Sequence, residues 1–250
     1  MRITRLFFGA LTISLLLTSC GGDSKPPAES TQRSSTDETS SVAGDAETGT
    51  TYSLDYIPED MTVPEKKHRF NALVLPVIEE VYAELTTLYK EVGRMIDDGS
   101  DSLRLAILRK KYRVPGNAAL LQAVKPHPVS IALAQAAMES GWGTSRLFQA
   151  ANNLFGVWSV NPDEPRIAAA EKRGDRTIWM RKYSSLNEAV GDYYLILARS
   201  QAFREFRLLR MQTNDPFRLV TRLENYSEKG SAYGEELAAM IRYNKFDQYD

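Results

Sequence analysis

Thirty consecutive residues of this chain cannot contribute to a hydrophobic core, and they decide where any fold must lie. Gly21 to Thr50 holds six Ser, five Thr and six acidic residues, with only Ala28, Val42, Ala43 and Ala46 as apolar members. Ordering backbone costs roughly 1 to 2 kcal/mol per residue, and a stretch so poor in apolar surface has little to offset that cost. Residues 20–50 therefore read as a disordered tether, with an r.m.s. reach on the order of 30 Å. The folded part is expected within 51–250.

The segment before the tether has the layout of a signal peptide over residues 1–19. Arg2 and Arg5 supply positive charge, Leu6 to Leu17 are mostly apolar, and small residues follow. The apolar run is too short to span a bilayer comfortably. Leu17-Thr18-Ser19-Cys20 resembles the lipobox of bacterial lipoproteins, in which cleavage before the cysteine accompanies its acylation. The resemblance implies lipidation at Cys20 and a membrane anchor. Gly21 stands where an Asp would mark inner-membrane retention, so the implied location is the outer membrane of a Gram-negative bacterium, facing the periplasm.

Charge and side-chain chemistry exclude several classes. Lys+Arg 31 against Asp+Glu 32 gives no basic excess to neutralise phosphates, which argues against a dedicated nucleic-acid binder. A single cysteine excludes an intrachain disulfide and a cysteine-rich zinc site. Only His68 and His127 could serve a histidine metal centre, and His127, between Pro126 and Pro128, reads as structural. No cofactor and no metal are expected.

From Pro64 the periodicity is helical. Phe70, Leu73, Val74, Val77, Ile78, Val81, Leu85, Leu88 and Val92 recur at three- and four-residue steps, with a break or kink expected at Pro76. A helix over Ser102 to Tyr112 is expected to be capped by Ser102 and to share Leu103, Ala106, Ile107 and Lys110 on one face. A short helix follows near Asn117 to Val124. Ser130 reads as the N-cap of a helix that stops at Ser140-Gly141. Arg173-Gly174-Asp175 is a turn within a β-hairpin over Ile167 to Tyr183. After it, Ser184 or Ser185 caps a helix burying Ala189, Val190, Tyr193, Tyr194, Leu197 and Ala198. Helices are also expected at Pro216 to Glu224 and near Glu235 to Asn244.

Glu139 is the first candidate for chemistry. It falls in the last turn of its helix, where the negative end of the macrodipole disfavours a carboxylate, and Met138 and Trp142 beside it are apolar. Both effects raise its pKa, and a carboxyl still protonated near neutral pH is what a general acid for glycoside cleavage needs. Ala132, Gln135 and Ala136 on its helix face are modest in size, so a ligand or another backbone can approach.

The words around Glu139 sharpen this. Ala134-Gln135-Ala136-Ala137-Met138-Glu139-Ser140-Gly141-Trp142-Gly143-Thr144-Ser145, followed by Asn152-Asn153-Leu154-Phe155-Gly156, closely resembles the peptidoglycan glucosaminidase family related to the flagellar muramidase and to staphylococcal autolysins. The Bax-like subgroup is the match within it. Tyr183-Ser184-Ser185-Leu186-Asn187-Glu188-Ala189-Val190 and Tyr226-Ser227-Glu228-Lys229-Gly230-Ser231-Ala232-Tyr233 agree in order and spacing. The likeness runs from about Pro126 to about Tyr243. It implies a helical leader region over 51–125 and a glucosaminidase-like catalytic domain over 126–250.

The resemblance implies a lysozyme-like α+β fold, mainly helical, with a small hairpin. It implies an endo-β-N-acetylglucosaminidase acting on the β-1,4 bonds of peptidoglycan glycan strands, with no nucleic acid as partner. Glu139 matches the family's general acid and Tyr226 the Tyr of its Tyr-Ala-Thr-type motif, here Tyr-Ser-Glu. That departure leaves Tyr226 or Tyr233 facing the substrate, with Tyr226 favoured. A second carboxylate would come from Asp163, Glu164, Glu171 or Asp175, with Glu171 the choice. Trp142 and Phe155 are candidate sugar platforms, and Gln135 and Asn153 candidate partners for N-acetyl groups. Two alternatives stay open: a lytic transglycosylase, and a catalytically silent wall-binding lipoprotein.

Overall fold

The computed structural model describes residues 61–173 and 176–250, without the side chains of 171–173. The signal peptide, Cys20, the tether and the hairpin turn residues 174 and 175 lie outside the described residues. Those described belong to one compact unit. It is a mainly helical α+β fold: nine α-helices and one two-stranded antiparallel sheet among the described residues, with short 3₁₀ turns between them.

Helix α1 (Val63–Asp97) is the longest element, begun by Thr62 with Glu65 reaching back to the Thr62 N–H at 2.9 Å. It runs through Pro76 as one helix, so the break that the sequence allowed there does not occur. Pro76 and Ala72, whose carbonyl Pro76 cannot serve, are both exposed, so water can take the freed acceptor. Phe70, Leu73, Val74, Val77, Ile78 and Val81 on the opposite side enter the main core.

Helix α2 (Ser102–Tyr112) is capped by Asp101, whose carboxylate accepts from the Arg104 N–H; Ser102 is already helical. Its buried face is Leu105, Leu108 and Tyr112, while Leu103 and Ile107 are exposed. Apolar residues occur on both sides of this helix, so periodicity alone could not choose the face, and packing on α1 and α3 (Asn117–Val124) did.

The centre of the molecule is α4 (Val129–Ser140), buried from Val129 to Ala137. Pro128, not Ser130, is its N-cap, since a proline fits the non-helical dihedrals there. Ser130 instead lies in the first turn, where its N–H and hydroxyl donate to the Asp250 carboxylate at 2.8 and 2.7 Å. An anion at a helix N-terminus satisfies orphan donors and complements the dipole. Ala132 and Ala136 are fully buried, and their small side chains let helices, not a ligand, approach.

Helix α5 (Arg146–Ala151) leads to the hairpin of β1 (Arg166–Arg173) and β2 (Arg176–Arg181), paired with an irregularity between Ala168 and Lys172. Ser185 caps α6 (Leu186–Arg199), which buries the expected face. Helices α7 (Arg204–Arg210) and α8 (Pro216–Leu219) follow, then a 3₁₀ turn at Val220–Arg222 where a longer helix was expected. Helix α9 (Ser231–Asn244) packs on that turn and on α4, and a last 3₁₀ turn covers α4.

Candidate active site

Glu139 sits in the last turn of α4, which ends because Gly141 takes a left-handed conformation. Trp142 and Gly143 also have positive φ. Ser140 ties the turn together: its hydroxyl donates to the Ala136 carbonyl and accepts from the Gly143 N–H. A non-glycine residue held at φ 59, as Trp142 is, marks backbone strain that the surrounding bonds must overcome.

Burial pushes the Glu139 carboxyl up to about 7, and Glu236 pushes the same way; the Tyr233 hydrogen bond and Lys229 oppose. The residue is still partly exposed. Oε1 accepts from the Tyr233 hydroxyl at 2.9 Å, and Oε2 faces Gly156, where an added Cβ would lie 3.8 Å away. Lys229 and Glu236 form an exposed ion pair at 2.7 Å. A carboxyl that is part protonated at neutral pH and reachable by solvent can give a proton to a leaving oxygen.

Residues 152–157 hold Gly156 in place. Asn153 accepts from the Val157 N–H and donates to the carbonyls of Val157 and Arg181, fixing the loop to β2. Asn152 donates to the Tyr183 carbonyl. Asn153 is thus buried and fully engaged as a loop clasp, which corrects its assignment as a sugar contact.

Two other binding assignments change for the same reason, burial. Phe155 is 1% exposed and lies stacked on Tyr193 with ring centroids 3.9 Å apart, so it offers no face to a sugar. Gln135 is fully buried between two tyrosine hydroxyls, donating to Tyr233 and accepting from Tyr193. Trp142, by contrast, is only partly buried, packing edge-on to Phe70 and under the Lys67 ammonium, 4.7 Å from the ring centroid, so it stays a candidate platform.

Both candidate tyrosines lie near Glu139, but both are buried, so neither presents a face to the substrate as the sequence reading expected. Tyr233 bonds it directly, while Tyr226 stacks behind Tyr233 with centroids 5.2 Å apart and donates to the Phe155 carbonyl. Sequence reasoning missed the Lys229–Glu236 pair and the link from Gln135 through Tyr193 to His127. A bare charge pair and a buried tyrosine carry no signal that sets them apart from ordinary helix residues.

Of the second-carboxylate candidates, Glu164 is paired with Arg181 at 3.1 Å, and Asp163 lies in the loop before β1. Glu171 lies in the irregular stretch of β1, its side chain outside the description, as is the whole of Asp175. A cavity of about 470 Å³ against α1, α6 and the hairpin is lined by Lys125, Arg181, Asp192 and Arg210 among others, and Glu139 is not part of it. Among the described residues no group of three or more His, Cys, Asp or Glu is placed to hold a metal.

A model of the glucosaminidase family, described as mannosyl-glycoprotein endo-beta-N-acetylglucosaminidase, matches residues 108–246. The chain belongs to this family. Over 198 residues it is 32% identical to Protein bax of Escherichia coli (strain K12), covering 72% of this chain and 70% of that relative. Over 138 residues it is 27% identical to the exo-glucosaminidase LytG of Bacillus subtilis (strain 168), covering 48% of this chain and 45% of that relative. The catalytic domain of the autolysin Auto from Listeria monocytogenes aligns over 77% of this chain and 92% of its own, at 20% identity and a TM-score of 0.46. Family membership makes glycoside hydrolysis the class of chemistry for which Glu139 must be judged.

Proposed function

We propose that the chain is a peptidoglycan hydrolase of the endo-β-N-acetylglucosaminidase type with Glu139 as its general acid. One observation carries this reading: Glu139 lies within the family motif, is raised to about 7 by burial, and keeps partial exposure. The proton of Glu139 passes to the glycosidic oxygen as the bond from that oxygen to the sugar C1 breaks, and the bonding electrons leave with the oxygen. Water then adds to C1 and gives up a proton, to the second carboxylate in an inverting course or, where the acetamido group assists, back to Glu139. A second carboxylate about 6.5 to 9.5 Å from Glu139 would orient that water in an inverting course, and Glu171 is the candidate; otherwise the substrate's acetamido group assists. Tyr233 and Tyr226 position the acid.

Digestion of purified peptidoglycan by the wild-type protein and Glu139→Gln, read by mass spectrometry, tests the proposal. New reducing-end N-acetylglucosamine that disappears in the variant supports it. Anhydro-muramyl ends would replace hydrolysis by transglycosylation, and no cleavage with retained binding would leave a silent wall-binding protein.

The Cys20 motif supports anchoring in the outer membrane facing the periplasm, with the tether giving the domain reach. Cys20→Ala should move the protein out of the membrane fraction or block its maturation. Unchanged retention and an unlipidated wild-type amino terminus would reject the anchor.

A further inference from the structure

Four hydrogen bonds run in series through the buried core to Glu139. His127 Nε2 lies 2.9 Å from the Tyr193 hydroxyl, which donates to Gln135 Oε1 at 2.6 Å. Gln135 Nε2 donates to the Tyr233 hydroxyl at 3.0 Å, and that hydroxyl donates to Glu139 Oε1 at 2.9 Å. His127, Gln135, Tyr193 and Tyr233 are all at most 1% exposed. The links between these four residues are therefore shut off from bulk solvent.

Such a series has only two self-consistent polarities. Each hydroxyl has one hydrogen, and an amide donates only from nitrogen, so reversing one link reverses all of them. In one polarity His127 carries its hydrogen on Nε2 and Glu139 Oε1 accepts. In the other His127 carries it on Nδ1, the Gln135 amide is flipped, and Glu139 must donate from Oε1.

The far end selects between them. His127 Nδ1 is buried, and among the described residues nothing offers it a hydrogen-bond partner. A buried N–H without an acceptor is rarer and costlier than a buried lone pair without a donor, so Nδ1 stays bare and the hydrogen lies on Nε2. Burial and the Arg210 guanidinium hold the imidazole well below its usual pKa, so it stays neutral with one hydrogen. Tyr193 Oη then accepts from His127 and donates onward.

We propose that His127, Tyr193 and Gln135 are positioning residues that fix which oxygen of Glu139 carries the transferable proton. Oε1 permanently receives the Tyr233 hydrogen, so the proton of the acid resides on Oε2, the oxygen facing Gly156. In the reversed polarity the proton would sit on Oε1, directed into the core toward Tyr233 and useless to a substrate. The inference rests on the reading of Glu139 as the acid. The other groups acting on Glu139 are Glu236 on α9 and Lys229 on the preceding loop, with Tyr226 stacked behind Tyr233; around His127 they are Tyr194 and Arg210.

Tyr193→Phe removes the link between His127 and Gln135 while keeping the ring that stacks on Phe155. Gln135 Oε1 then lacks a donor and turns toward Tyr233, and Glu139 loses its own. The basic limb of kcat for peptidoglycan cleavage should move up by about one pH unit, and kcat should fall by about tenfold. An unchanged basic limb in a folded Tyr193→Phe protein overturns the proposal, since a merely structural tyrosine would alter stability and leave that limb in place. If the variant does not fold, the wild-type tautomer decides. With ¹⁵N-labelled histidine in the full chain, only exposed His68 and buried His127 report, and His127 is expected protonated at Nε2 and bare at Nδ1; the opposite tautomer overturns the relay. Activity retained by Glu139→Gln would instead reject the acid, an outcome that the tautomer measurement does not share.

Discussion

The hydroxyl of Tyr233 meets Oε1 of Glu139 at 2.9 Å, joining residues 94 positions apart. The fold makes this contact by laying α9 against the end of α4. It sets the acid's strength: burial drives the Glu139 pKa up, and the Tyr233 bond is the largest opposing influence. Tyr233→Phe removes that opposition and keeps the ring stacked on Tyr226. The basic limb of the pH profile for peptidoglycan cleavage should therefore shift upward. An unmoved limb would show that the hydroxyl does not govern the acid.

Glu139→Gln separates catalysis from stability. Loss of the proton donor should lower turnover by about 10² to 10⁴. The folded carboxyl holds its proton to about 7 against an ordinary value of 4.5, so the native state binds the proton more tightly than the unfolded chain. Wild-type stability is then greatest below about pH 4.5 as far as this group is concerned, and falls through pH 7 by at most about 3 kcal/mol. Glutamine cannot titrate, so the variant should lack this slope and be the more stable protein at mildly alkaline pH. Urea unfolding of both proteins on either side of the window checks the sign. A variant less stable than wild type at alkaline pH would mean that the ionised carboxylate holds the fold.

Where one face of a helix alone is apolar, as in α6, the sequence pattern located both the element and its buried residues. It failed on α2, because Leu103 and Ile107 mimic a core face that tertiary packing leaves in water. It missed α7, whose Arg207 and Arg210 are buried by donating to main-chain carbonyls, a pairing invisible along the chain. At the site, the motif pointed to Glu139 because its chemistry is local to one helix end. Gln135, Asn153 and Phe155 were misread as sugar contacts because composition tells what a side chain can bind, while burial tells what it does bind.

Asp250 offers a test of how α4 is held. Its carboxylate takes the Ser130 N–H and hydroxyl in the first turn of the helix that ends with Glu139. Asp250→Ala should cost about 1 kcal/mol, as loss of a helix cap does, and lower Tm by about 2 to 4 °C. Ser130→Ala should cost less, since the backbone N–H still reaches Asp250. Calorimetry of the two variants checks the order, and equal or absent losses would mean that the carboxylate is not acting as a cap.

Two helical glycines should respond to alanine with opposite signs. Gly191 in α6 has nothing within 4 Å of an added Cβ, so Gly191→Ala should stabilise by up to about 1 kcal/mol through helix propensity. Gly234 in α9 is different, because its added Cβ would lie 2.6 Å from the Val220 carbonyl oxygen and 3.3 Å from the carbonyl carbon. These are backbone atoms of the 3₁₀ turn and cannot swing aside, so α9 must back away. Overpacking of this kind costs about 1 to 3 kcal/mol, more than the propensity gain. Tyr233 precedes Gly234 and would be carried off Glu139, so Gly234→Ala should also lower kcat, by about tenfold, while Gly191→Ala leaves it unchanged. A Gly234→Ala protein with raised Tm and full activity would show that α9 can shift without disturbing the acid.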